Sequence, residues 1–189
     1  MKPPPENEYG KRLYQELLAI RAKRGDHEAF AEIVRTFERP MFYYVRRLVE
    51  NDEDAWDVLQ QTWVKAFRGL SSLRETKRFR IWLYAIAHRT VMSHYRAAYR
   101  SQAVLDEAFG PEAPAEADAA PNPEDAERVH LALGQLDPDF RAVLTLRFLE
   151  QLSVEETAEI MGVPSGTVKS RLFHAKKALK KILSREDRV

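Results

Sequence analysis

The sequence predicts an all-α protein built as two small helical domains, joined by an acidic, proline-containing flexible linker, the second domain ending in a helix-turn-helix. Three observations carry this. Apolar residues recur at helical spacing through every stretch outside one central segment. Only 7 of the 189 residues are glycine. From Val104 to Glu127 there is no Lys or Arg but eight Asp or Glu, with prolines at 111, 114, 121 and 123. A segment of that composition buries too little apolar surface to fold by itself. The expected boundaries are a domain over 9–100, a linker over 101–123 and a domain over 124–183.

The first domain is read as a bundle. Met1 to Glu8 is a polar, proline-rich arm. A helix from Tyr9 to about Lys23 buries Leu13, Leu17, Leu18 and Ile20, and Arg24-Gly25-Asp26 breaks it. Asp26 is placed to cap the next helix, which carries Ala29, Phe30, Ile33, Val34 and Phe37. Pro40 is expected to start a third helix, through Met41, Phe42, Val45, Leu48 and Val49. Asn51-Asp52-Glu53-Asp54 opens a fourth, and acid in its first turn suits the positive end of the helix dipole. Gly69 to Arg78 reads as a loop. A helix from about Phe79 to Tyr99 follows, with Trp82, Leu83, Ile86 and Ala87 on its core side.

Helices resume near Glu124, with Val129, Leu131, Leu133 and Leu136 as apolar positions of the first. Asp137-Pro138 pairs an N-cap with proline at the first helical position. Phe140, Val143, Leu144, Leu146 and Phe148 fill the next helix. Ser153 and Glu156 have the spacing of a capping box, and Gly162 supplies a permissive turn. Ser165 is expected to cap a last helix, on which Val168, Leu172, Ala175, Leu179 and Ile182 form the buried stripe. Its other side carries Ser170, His174, Lys177 and Lys181, flanked by Lys169 and Arg171. That is the layout of a helix-turn-helix whose second helix enters the DNA major groove.

Composition bounds the function. A hydrophobic share of 44% marks a globular chain, and the absence of cysteine excludes disulfides and cysteine-ligated zinc. A reducing interior, the cytoplasm, is the expected location. No apolar run reaches membrane-spanning length, and Met1-Lys2-Pro3-Pro4-Pro5 does not begin a secretory signal. The net charge is only +1, but Lys and Arg cluster over 68–100 and 169–188 on either side of the acidic segment. Two nucleic-acid surfaces on separate bodies are the expectation. No cofactor and no metal are expected. His88 and His94 are six apart and share no helical face. The Asp52, Glu53, Asp54 and Asp57 cluster lacks a histidine or a phosphate-binding loop. An enzyme would need a catalytic constellation, and none is visible.

Four pieces, in order, resemble a known family. They are Gly25-Asp26 with Ala29-Phe30, the acidic helix from Asp54 to Trp63, Trp82-Leu83-Tyr84-Ala85-Ile86-Ala87, and Gly166-Thr167-Val168-Lys169-Ser170-Arg171-Leu172. Together the chain resembles a bacterial sigma factor of the extracytoplasmic-function (ECF) group, from about Leu13 to Leu183. The resemblance implies a dissociable specificity subunit of core RNA polymerase. Its first domain would dock on the beta-prime coiled coil and open the −10 element. Its second would sit on the beta flap and read the −35 element of duplex DNA, and an anti-sigma factor is a possible further partner. Trp56 and Gln61 stand where acidic or polar residues are more usual, and His174 where Arg is common.

Candidate residues follow. For the −35 duplex they are Ser165, Thr167, Lys169, Ser170, Arg171, His174, Lys177 and Lys181. Arg171 is the first choice for a base edge, and the lysines suit phosphates. For the melted −10 strand they are Lys77, Arg78, Phe79, Arg80, Tyr84 and Arg89, because aromatics interleaved with bases provide stacking beside positive charge. For polymerase they are Asp54, Trp56, Asp57, Gln60 and Gln61, with Trp56 either an exposed anchor or core. Rival readings are a DNA-binding regulator that needs no polymerase, and a protein-interaction module that mimics a sigma domain.

Overall fold

A computed structural model describes residues 7–102, 129 and 131–186, and no strand occurs among them. The N-terminal arm lies outside the described residues, as do the expected linker beyond Gln102 and the helix start at Glu124. Helix α1 (Glu8–Lys23) begins at Asn7, whose side chain accepts from the Gly10 amide at 2.6 Å. It ends where Gly25 adopts φ 91°. Asp26 then caps α2 (His27–Arg46), accepting from the Ala29 amide at 3.0 Å and pairing with Arg21 at 2.7 Å. The amide and then the guanidinium hold its carboxyl below the usual range.

The expected helix start at Pro40 is corrected: α2 runs through it. A mid-helix proline removes a hydrogen bond and normally ends the element. Here Phe37, Met41, Tyr44 and Val45 are buried on both sides of it, so a single apolar face spanning the proline outweighs the lost bond. Arg46, 8% exposed, closes α2 onto α3 (Asp52–Gly69). Its guanidinium donates to the Val49 and Glu50 carbonyls and to Asp52. Asn51 caps α3 by accepting from the Asp54 amide at 2.8 Å. The stretch read as a loop forms two 3-10 turns, Leu70–Ser72 and Thr76–Arg78. Lys23 anchors it to α1 by donating to the Leu73 carbonyl at 2.5 Å. Helix α4 (Phe79–Gln102) completes the first unit.

In the second unit Leu133 and Leu136 are buried, but Val129 and Leu131 are 40% and 37% exposed. Asp137 caps α5 (Pro138–Leu144). The helix then widens into a π turn over Thr145–Leu149. The wider turn shifts the register, so Leu146 is buried whereas Phe148, expected inside, is 48% exposed. Helix α6 (Val154–Met161) carries the full capping box: the Glu156 amide donates to Ser153 Oγ at 3.1 Å and the Ser153 amide to Glu156 Oε2 at 2.7 Å. A Ser153→Ala chain should lose about 1 kcal/mol in urea unfolding. Gly162 at φ 67° ends α6. Helix α7 (Ser165–Glu186) starts one residue earlier than expected, because the Pro164 carbonyl takes the Thr167 and Val168 amides and Ser165 lies inside the first turn.

The two units are not separate bodies. α4 packs against α6, and the buried side chains form one cluster that runs from Leu18 to Ala175. Arg141 crosses the junction by donating to the Arg47 carbonyl at 3.4 Å.

Candidate nucleic-acid interface

Helix α4 sets Arg89 on one face and Arg80 and Tyr84 on the opposite one, while Lys77 and Arg78 lie in the 3-10 turn before it. One face lines a cleft of about 450 Å³ against α3, formed by Lys65, Gly69, Ser72, Trp82, Ile86, Arg89, Thr90, Ser93 and Arg96. Trp82, Ile86, Arg89, Ser93 and Arg96 follow each other at steps of three or four, so they share that face. Trp82 is half-buried, and Lys65 donates to Thr90 Oγ1 at 3.1 Å. An indole beside amino and guanidinium groups in a concave, partly polar site suits an unstacked base with its phosphate. Of the residues expected to meet the −10 strand, only Arg89 belongs here, beside Trp82 and Ile86, which the sequence places on the core side. Lys65, Ser72, Thr90 and Ser93 lie outside that set. The spacing of polar residues from Trp82 onward, on the side away from Leu83 and Ala87, is a signal for Thr90 and Ser93; Lys65 on α3 and Ser72 in the first 3-10 turn have no such local signal.

The other face of α4 is covered by the second unit. Arg80 donates to the Glu150 carbonyl at 2.9 Å and to its carboxylate at 3.2 Å. The Tyr84 hydroxyl donates to the same carboxylate, and Arg78 pairs with Glu159. Tyr84 is 1% exposed, and burial followed by the charge of Glu150 raises its phenol well above the ordinary range. Phe79, 2% exposed, packs edge-on to Phe37 with ring centres 5.8 Å apart. Phe79 and Tyr84 therefore present no face to a strand in this arrangement, because the aromatic periodicity that suggested stacking is used for packing. Lys77 is exposed.

Below Tyr84 on the same face lies His88. Its Nδ1 is 3.1 Å from the Tyr44 hydroxyl, and burial pushes the ring down to about 4 from 6.5. Burial also raises the Tyr44 phenol.

On the helix-turn-helix, Ser165, Lys169, Ser170, His174, Lys177 and Lys181 are exposed on α7, and Thr167 is half-buried. Arg171 is placed differently from the rest. Its guanidinium is 2.6 Å from Asp139 on α5, with its side chain 25% exposed. The pair fastens α7 to α5, whereas Ser170 and His174 stay exposed. Nothing in the local pattern signals Asp139.

The polymerase candidates lie along α3. Asp57, Gln60 and Gln61 are exposed, and Trp56, half-exposed, leans on Phe42 with ring centres 4.4 Å apart. Asp54 is turned inward, receiving Asn51 and standing 3.7 Å from His94. Val64 and Phe67 extend the same side and are also exposed, so the face is more apolar than its charges suggest. A second apolar patch, Phe148, Leu149 and Phe173, lies on the C-terminal unit, and Lys176 stands 4.7 Å above the Phe148 ring. Among the described residues no cluster suits a metal, and no helix is long and apolar enough to cross a membrane.

Comparison with known proteins agrees with this layout. The family model described as Sigma-70 region 2 matches residues 33–101, and that described as Sigma-70, region 4 matches 126–179. The RNA polymerase sigma-H factor of Pseudomonas aeruginosa is 35% identical over 177 residues, covering 88% of this chain and 92% of that one. The ECF RNA polymerase sigma-E factor of Escherichia coli K12 is 34% identical over 178 residues, covering 88% and 93%. Among solved structures, the sigma factor RpoE in complex with the anti-sigma factor NepR from Bartonella quintana aligns with a TM-score of 0.74 at 25% identity. It covers 82% of this chain and 96% of that one. CnrH in complex with the cytosolic domain of CnrY gives 0.68 at 26%, covering 91% and 98%. Two family models in order, on an all-helical frame with an exposed basic helix-turn-helix, establish that the chain belongs to the sigma-70 family as an ECF sigma factor, a non-enzymatic subunit that directs RNA polymerase to promoters.

Proposed function

We propose that the two units read two promoter elements and that melting is completed in the α3–α4 cleft. The observation that carries this reading is the cleft itself, which Trp82 lines together with Lys65 and Arg89. A base taken out of the duplex needs a stacking partner and a cation for its phosphate in the same place. The outer face of α7, with Ser170 and His174 toward bases and Lys169, Lys177 and Lys181 toward phosphates, is proposed for the −35 duplex. Arg171 acts there by fixing α7 through Asp139. The α3 side from Trp56 to Phe67 is proposed for the beta-prime coiled coil. Phe148, Leu149 and Phe173 are proposed for the beta flap. Half-exposed aromatics are the residue type that anchors protein partners. The work is placed in the cytoplasm, and an anti-sigma partner is proposed because the aligned RpoE and CnrH structures are complexes of that kind.

Run-off transcription with core polymerase tests the reading: a promoter-specific transcript is expected only when this protein is present. No such transcript on templates selected from its own genome would overturn it. Within the −35 assignment, Lys177→Ala should weaken binding to all duplexes alike and lower the slope of log K against log salt by about 0.9, measured by fluorescence titration of the holoenzyme. An unchanged slope removes Lys177 from the phosphate set.

A further inference from the structure

An exposed lysine ordinarily leaves its ammonium in water at the end of a flexible four-carbon stem. Lys65, exposed on α3, does not. It reaches across the cleft to α4 and donates to Thr90 Oγ1 at 3.1 Å. Thr90 is 1% exposed, so the lysine is tied to a hydroxyl that belongs to the core wall. That hydroxyl is itself oriented. Its single proton goes to the Ile86 carbonyl one turn back, at 2.9 Å, the local bond that a helical threonine readily makes. A hydroxyl has one proton and two lone pairs. With the proton committed, the oxygen can only accept on the side that faces Lys65. The ammonium keeps two further donors.

The chemistry of the tether matters as much as its presence. Arg46, Arg80 and Arg171 each meet a carboxylate, on Asp52, Glu150 and Asp139, and such a pairing neutralises the cation it holds. Lys65 meets a neutral oxygen, and among the described residues no Asp or Glu lines the cleft. Its charge is therefore held in place and left uncompensated. Arg89 beside it is tied in the same manner, its Nε donating to the Ala85 carbonyl at 3.0 Å. We propose that Thr90 is a positioning residue for capture of the melted strand: its oriented hydroxyl holds the Lys65 ammonium at the cleft wall without neutralising it, so a strand phosphate meets a cation already in place. Capture then requires less side-chain ordering than a loose lysine demands. The proposal rests on the reading of the α3–α4 cleft as the site of the melted strand, and Thr90 acts there only through Lys65.

Holoenzyme binding to a fluorescent fork-junction fragment reads capture directly. The fragment comes from a promoter active in the run-off assay and is single-stranded through its −10 non-template strand. A duplex carrying only the −35 element is the control. Thr90→Val keeps the shape of the side chain and removes the oxygen. It is expected to weaken fork binding about fivefold, the scale of one hydrogen bond, and to leave binding of the −35 duplex unchanged. Thr90→Ser, which restores the acceptor, should return fork binding to the wild-type level. Lys65→Ala should weaken fork binding by at least as much as Thr90→Val. Adding Thr90→Val to Lys65→Ala should weaken it no further, because the hydroxyl then has no ammonium to hold. If urea unfolding shows Thr90→Val to be poorly folded, Thr90→Cys, of similar size and with only a weak acceptor, should give the same pattern. Losses that add in the double variant overturn the positioning role and leave the cleft reading standing. So does wild-type fork binding by Thr90→Val beside a weakened Lys65→Ala. Parallel loss of fork and −35 duplex binding in a folded Thr90→Val protein also overturns it, since a general loosening of the chain explains both. Fork binding that is unchanged in both Lys65→Ala and Trp82→Ala removes the cleft as the site of the strand, and the proposal with it.

Discussion

A Trp82→Ala protein is expected to assemble with core polymerase and bind promoter duplex, but to form open complexes about 10–100-fold less well. The ring lies half-buried in the cleft between α3 and α4, 5.7 Å from the Phe79 ring behind it and beside Lys65 and Arg89. Phe79 is core, so Trp82 is the last aromatic surface before the cleft. One base stacked on such a surface contributes about 1–3 kcal/mol, and each 1.36 kcal/mol is about tenfold. Trp82→Phe should keep most of the function, because a ring face remains. Lys65→Ala should show a smaller defect that grows with salt, since it removes only a charge. Permanganate reactivity of −10 thymines reads the opening directly. On a template melted in advance the Trp82→Ala defect should shrink, because separation of the strands no longer has to be driven. A Trp82→Ala holoenzyme that opens duplex promoters at the wild-type level would return Trp82 to a packing role. Urea unfolding of the free variant separates that outcome from simple destabilisation.

How legible this site was in the sequence depends on the range over which each interaction acts. Caps are local, and they were readable: Asp26, Asn51, Asp137 and Ser153 each accept an amide two or three residues on. The inner stripe of α7 was readable for the same reason, with Val168 and Ala175 fully buried. Pro40 misled because the local rule for proline was set against a tertiary core that a window of a few residues does not contain. Phe148 misled because a π turn changes the period on which the inference relied. The −10 set teaches more. Periodicity marks α4 as apolar on one side and basic with aromatics elsewhere, but it does not say that a second unit covers part of that surface. Tyr84 next to Arg80 and Arg89 has the pattern of a stacking platform. Its hydroxyl is committed to Glu150, 66 residues away, and no local signal carries a pairing of that range. Arg171 with Asp139 is the same case inside the second unit.

Acid should destabilise the wild-type chain more than a His88→Gln variant, and the difference should open between pH 7 and pH 4. His88 is 4% exposed, and burial is the largest cause of its depression to about 4. The charged groups that act on it are Asp139, which favours the imidazolium, and Arg171 and Arg89, which oppose it, so that the carboxylate is outnumbered. Its ring partner, Tyr44, is itself fully buried and keeps its proton. The sign follows from linkage. The unfolded chain takes up the proton near 6.5, the folded chain only near 4, so the neutral ring contributes stability that is present above pH 6.5 and is lost as pH falls through 4. A depression of that size corresponds to about 3 kcal/mol over the whole window, of which about 2 kcal/mol is gone by pH 5. Glutamine carries no proton in this range and still offers Tyr44 a polar partner, so the variant is less stable at pH 7 but lacks this component of the acid slope. Carboxylates such as Asp26, also held below the usual range, weaken both proteins equally and cancel in the comparison. Urea midpoints of the two proteins, taken at half-unit steps from pH 7 to pH 4.5, are expected to converge. Midpoints that fall in parallel would show that the buried imidazole is protonated in the folded chain, and that the Tyr44–His88 pair holds a charge the surrounding core accommodates.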